Sequence, residues 1–81
     1  MMSIRDTIIA QFQGVAAEQK RKLATLTDDL KLLHSGLDSL SFAIIVARLE
    51  ELLSYDPFEA NESQQFPVTF GDFVRLYENR P

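Results

Sequence analysis

The sequence predicts an all-α fold: a small four-helix bundle, three principal helices and a short one, with a long loop between the first and second. Three observations carry that prediction. Apolar residues recur at helical spacing in three separate stretches, near residues 4–18, 40–53 and 70–77. A serine, threonine or aspartate able to cap a helix stands ahead of each stretch. The chain has 81 residues and no cysteine, so residues 1–81 form one domain whose stability must come from aliphatic and aromatic burial alone. A hydrophobic content of 46% is enough for that.

In the first helix, Ser3 is placed to cap with Asp6 three residues on, the capping-box spacing. Ile4, Ile8, Phe12 and Val15 share one face, so the helix should run over about 4–18 in spite of Gly14. The cluster Lys20-Arg21-Lys22 follows near its C-terminal end, where positive charge suits the helix dipole. Residues 23–38 make the long connection. Leu23, Leu26, Leu30, Leu32 and Leu33 predict that it lies against the core, with Thr27-Asp28-Asp29 capping one short turn. A long loop in so small a domain is either functional or poorly ordered, and the leucines favour order.

The second helix has the strongest pattern. Leu40, Phe42, Ala43, Ile45, Val46, Leu49 and Leu53 give a broad apolar face, and Arg48, Glu50 and Glu51 a polar one. The β-branched run Ile44-Ile45-Val46 would also suit a strand, but the good helix formers from Ala47 to Leu53 favour a helix. Either Asp38 or Ser39 can be its N-cap. Asp56-Pro57-Phe58-Glu59 predicts the short third helix, with Asp56 capping and Pro57 in the first turn. Asn61 to Gln65 should loop. Thr69 then caps the last helix with Asp72 three residues on, and Phe70, Phe73, Val74 and Tyr77 form its buried face.

Composition excludes several function classes. The longest apolar stretch, Phe42 to Ala47, is far too short to cross a bilayer. The N-terminus, Met1-Met2-Ser3-Ile4-Arg5-Asp6, carries no secretory apolar region, and a cytoplasmic, free-standing monomer is expected. A net charge of −4 argues against a nucleic-acid partner. The acids concentrate between residues 28 and 62, where Asp28, Asp29, Asp38, Glu50, Glu51, Asp56, Glu59 and Glu62 face only Lys31 and Arg48. That segment favours partners with a basic surface.

Catalytic readings fail on inventory, and an enzyme is not expected. The sole histidine, His34, lies five residues before Ser39, with no third triad member or oxyanion hole evident. Gly36-Leu37-Asp38-Ser39-Leu40 lacks the second glycine of a nucleophile elbow and no strand precedes it. Asp28, Asp29 and Asp38 do not have the spacing of a calcium-binding loop, so no metal site is expected. Three separated glycines make no phosphate-binding loop.

A serine at the exposed start of a helix is instead suited to modification by another enzyme. The helix N-terminus tolerates a phosphate there, and Gly36 can supply a tight turn just upstream. Leu37 and Leu40 can pin the loop and helix start into the core while Ser39 faces out. With this run leading into an amphipathic helix, the chain resembles acyl and peptidyl carrier proteins over nearly its whole length. The resemblance implies that Ser39 bears 4′-phosphopantetheine through a phosphodiester, the arm ending in a thiol that carries an acyl or aminoacyl group as a thioester. It implies that Asp38 helps dock the phosphopantetheinyl transferase, which uses magnesium and takes the arm from coenzyme A. Further partners would be an acyl- or aminoacyl-adenylating ligase or an acyltransferase, and a downstream synthase or transferase. The alternative is a helical interaction module whose second helix offers its apolar stripe to a partner, with Ser39 only a cap.

The chain departs from fatty-acid carriers, which usually have an acidic second helix near the serine. Here that stretch holds Ser41, Ile44, Ala47 and Arg48. Leu37, Leu40, Ser41, Ile44 and Arg48, with Phe42, are therefore the expected partner surface, more apolar than electrostatic. Asp56-Pro57-Phe58, Phe66-Pro67-Val68-Thr69 and Gly71-Asp72-Phe73 resemble discrete carriers that accompany stand-alone adenylating ligases, which points toward specialised metabolism. Bulky Phe42, Val46, Phe70 and Phe73 suggest little spare volume in the core.

Overall fold

The computed structural model describes residues 3–60 and 65–79. Among them are four α-helices, α1 (Ile4–Glu18), α2 (Ser39–Leu53), α3 (Pro57–Ala60) and α4 (Phe70–Glu78), with a 3₁₀ turn over Leu32–His34. The fold is the predicted small all-α bundle with a long first connection. The expected loop from Asn61 falls, as far as Gln64, outside the described residues.

Local chemistry starts and ends each helix. Ser3 Oγ accepts from the Asp6 N–H at 3.0 Å. Thr69 and Asp72 form a complete capping box, the Thr69 Oγ1 accepting from the Asp72 N–H at 3.1 Å and Asp72 Oδ2 from the Thr69 N–H at 3.3 Å. Asp56 Oδ1 accepts from the N–H groups of Phe58 and Glu59 at 2.9 and 3.3 Å, so Pro57 occupies the first turn as predicted. The C-terminal ends of α1 and α2 use left-handed residues. Lys20 (φ 54°) and Ser54 (φ 54°) reverse the chain after α1 and α2 without a glycine.

α1 is the central helix and makes the principal helix–helix contacts, with α2 and with α4. Ile8, Phe12 and Val15 of α1, Ile45 and Leu49 of α2, and Phe70, Phe73, Val74 and Tyr77 of α4 are essentially inaccessible. Phe12 is the hub, meeting Phe42, Phe70 and Phe73 edge-to-face with ring centroids 6.0, 5.1 and 5.4 Å apart.

The long connection is ordered because it hydrogen-bonds to the start of α4. Leu32 N–H donates to the Val68 carbonyl at 2.9 Å and Phe70 N–H to the Leu30 carbonyl at 2.8 Å, around an isolated antiparallel bridge between Lys31 and Thr69. Leu23, Leu26 and Leu30 pack against the core and Leu32 is buried in it. Leu33 does not follow the prediction: it is 90% exposed. A three-residue 3₁₀ turn sends successive side chains in different directions, so Leu32 turns in and Leu33 out.

Candidate functional site around Ser39

The approach to Ser39 is built residue by residue. Ser35, fully buried, closes the 3₁₀ turn: its Oγ donates to the Leu32 carbonyl at 2.6 Å and accepts from the Leu37 N–H at 3.3 Å. Gly36 then reverses the chain at φ 95°, and a methyl group there would overlap the Lys22 carbonyl oxygen. Conformation and space both require glycine at this position. Leu37 drops into the core at 8% exposure.

Asp38 is the N-cap of α2, in extended backbone conformation. Its Oδ1 accepts from the Ser41 N–H and from the Ser41 Oγ, each at 2.9 Å. Its Oδ2 accepts from Arg21 Nη2 at 2.6 Å. The two bonds from Ser41, with a smaller contribution from the charge of Arg21, hold the Asp38 carboxyl below its ordinary value of 3.8. Ser39 is therefore the first helical residue and not the cap. It is exposed, and among the described residues its hydroxyl bonds to no protein group. The N–H groups of Ser39 and Leu40 likewise find no acceptor among the described residues.

The expected partner surface is redistributed. Ser41 is completely buried, because its hydroxyl is spent on Asp38 at the third position of the helix. Leu37 also belongs to the core, whereas Leu40, expected to pin the helix start, is 60% exposed. Ile44 is half-buried against the core. Arg48 is half-buried and holds both carboxylate oxygens of Glu18 at 2.7 Å. The lysine-arginine cluster after α1 lies beyond its last turn, and Arg21 serves Asp38 instead of the helix end.

An apolar groove of about 910 Å³ opens beside Ser39. Phe42 and Val46 of α2 line it together with Leu33, Phe58, Phe66 and Val68. Phe66 stacks on Phe58 at 5.8 Å and meets Phe42 edge-to-face at 5.7 Å. Bulky side chains were expected to leave little spare volume, but only Phe70 and Phe73 are fully enclosed. Phe42 and Val46 pack against the core and also line the groove, where Phe66 meets Phe42 edge-to-face. Sequence reading missed Leu33, Phe66 and Val68 as site residues. The proline beside Phe66 and Val68, which starts no helix of its own, was the available signal.

Glu50, Asp56 and Glu59 bring carboxylate oxygens within 4.8 Å of one another at the junction of α2 and α3. An exposed acidic cluster by itself defines no metal site. His34 is exposed and its ring makes no hydrogen bond among the described residues.

No protein-family model matches the chain, and neither the curated proteins nor the solved structures contain a match to it.

Proposed function

We propose that the protein is a carrier whose Ser39 accepts a 4′-phosphopantetheine arm and presents the group loaded on it to partner enzymes. The observation that supports this reading most directly is the division of labour at the start of α2. Asp38 performs the capping, which leaves the Ser39 hydroxyl exposed and without a hydrogen-bond partner among the described residues. The surroundings fit the group. Two free N–H donors at a helix start favour a phosphate, and the groove provides apolar surface beside the attachment point. When bound, the arm supplies a terminal thiol for thioester chemistry. The chain's own residues present the hydroxyl, hold its backbone rigid through Gly36 and Asp38, and keep Asp38 accessible to the docking transferase at 43% side-chain exposure.

The partner face we assign to this reading is the apolar rim Leu33, Phe66 and Val68 together with Leu40, the residue after Ser39, each at least half exposed. It fits a ligase or synthase that docks through apolar contacts. An interaction module built on the apolar stripe of α2 fits less well, since Ile45 and Leu49 are already fully enclosed in the core.

The test is to incubate the apo-protein with coenzyme A, magnesium and a broad-specificity phosphopantetheinyl transferase, and to weigh the product. A mass gain on wild type that is absent from Ser39→Ala is expected. No gain on wild type, or an equal gain on Ser39→Ala, removes the proposal.

A further inference from the structure

We infer that Arg21 is the counter-ion of the group attached at Ser39: its guanidinium, already fixed on Asp38, binds the phosphodiester created by modification. The inference rests on the carrier reading above. Its first support is how Arg21 is aimed. α1 ends in a reversal at the left-handed Lys20, where the Lys20 N–H donates to the Ala17 carbonyl at 3.1 Å and the Arg21 N–H to the Ala16 carbonyl at 2.8 Å. That pair of bonds fixes the Arg21 backbone, and the side chain reaches the start of α2.

Its second support is spare bonding capacity. A guanidinium has five N–H donors, and a single hydrogen bond, from Nη2 to Asp38, is made among the described residues. The side chain is 42% exposed, so other donors are accessible. Three other arginines are committed elsewhere: Arg48 is bound by both oxygens of Glu18, Arg5 by Asp28 and Arg75 by Asp72.

The third support is electrostatic need. A phosphodiester on Ser39 places a negative charge one residue from the Asp38 carboxylate, in the most acidic part of the chain. A planar fork can bridge two neighbouring oxyanions, whereas an ammonium is a single point charge. Arg21 thus relieves the repulsion that modification introduces and fixes the root of the arm.

The experiment compares wild type, Arg21→Gln and Arg21→Lys, each weighed after the transferase reaction. Apo and loaded forms are examined by ³¹P NMR and by thermal unfolding. Any loss of Asp38 capping in Arg21→Gln acts on both forms and cancels in the loaded-minus-apo difference. At low salt that difference should be more favourable in wild type than in Arg21→Gln by about 2–5 °C, and the gap should close near ~1 M NaCl. The phosphodiester resonance should move between the two proteins, with Arg21→Lys intermediate. An unmoved resonance and equal differences in wild type and Arg21→Gln overturn the inference while leaving the Ser39 assignment standing. Absence of a mass gain in wild type overturns both.

Discussion

Removing the Ser39 hydroxyl deletes an atom that makes no hydrogen bond among the described residues, so Ser39→Ala should unfold in urea within about 0.5 kcal/mol of wild type. Asp38→Ala should lower the midpoint clearly, because it strips the cap, the Ser41 partner and the Arg21 pair together. Equal effects from the two substitutions would contradict the assignment of the cap. The same chemistry sets an acid response. Arg75 and Thr69 hold Asp72 below its ordinary value, Arg48 does so for Glu18, and Ser41 for Asp38. A carboxylate depressed in the folded state contributes stability above its unfolded value, 3.8 for aspartate and 4.5 for glutamate, and loses it as pH falls through the folded value. The melting temperature should therefore hold down to about pH 5 and decline below about pH 4, measured at constant ionic strength. Tyr77 illustrates the opposite situation. Its hydroxyl is buried with no hydrogen-bond partner among the described residues, and burial pushes its ionisation far upward. Tyr77→Phe removes an unsatisfied polar atom and should be neutral or stabilising by about 1–3 kcal/mol in urea unfolding.

The helices themselves were legible because their signals are local. Ser3, Asp56 and Thr69 bond to the backbone two or three residues away, and such contacts can be read from spacing alone. Their ends were less legible, since a left-handed reversal at Lys20 or Ser54 carries no glycine to announce it. That makes both positions improvable: Lys20→Gly and Ser54→Gly should each stabilise the fold by about 1 kcal/mol, read from urea midpoints. Gly36→Ala should do the reverse, by about 1–3 kcal/mol, because the added methyl meets the Lys22 carbonyl in a positive-φ turn. A gain in stability from Gly36→Ala would show that the turn relaxes. Leu33 marks where periodicity fails, since a 3₁₀ turn obeys neither the helical nor the strand repeat.

At the scale of the whole molecule, what could not be read is which apolar residues remain uncovered. Leu40, Phe66 and Val68 look like core residues in a hydropathy pattern, and only tertiary placement leaves them more than half exposed, with Phe66 and Val68 lining the groove. Ser41 is the converse, a polar residue buried at the start of α2 within the framework of α2 packed on α1, its hydroxyl bonded to Asp38. The exposed serine that starts α2 is legible from its neighbours in sequence; the surface around it is not. Phe12 is the point on which that framework depends. Fully buried against three other rings, it should cost about 3–5 kcal/mol on replacement by alanine, a large share of the stability available to 81 residues, visible as early unfolding in urea.

The assignment of the α2 cap to Asp38 also makes position 39 a place for chemists to work. An exposed first-turn residue whose side chain makes no hydrogen bond among the described residues can be exchanged for cysteine, and the chain contains no other thiol to compete for a maleimide or disulfide reagent. Ser39→Cys would offer one addressable handle at the mouth of the groove, on which synthetic arms of chosen length and polarity can be mounted without any transferase.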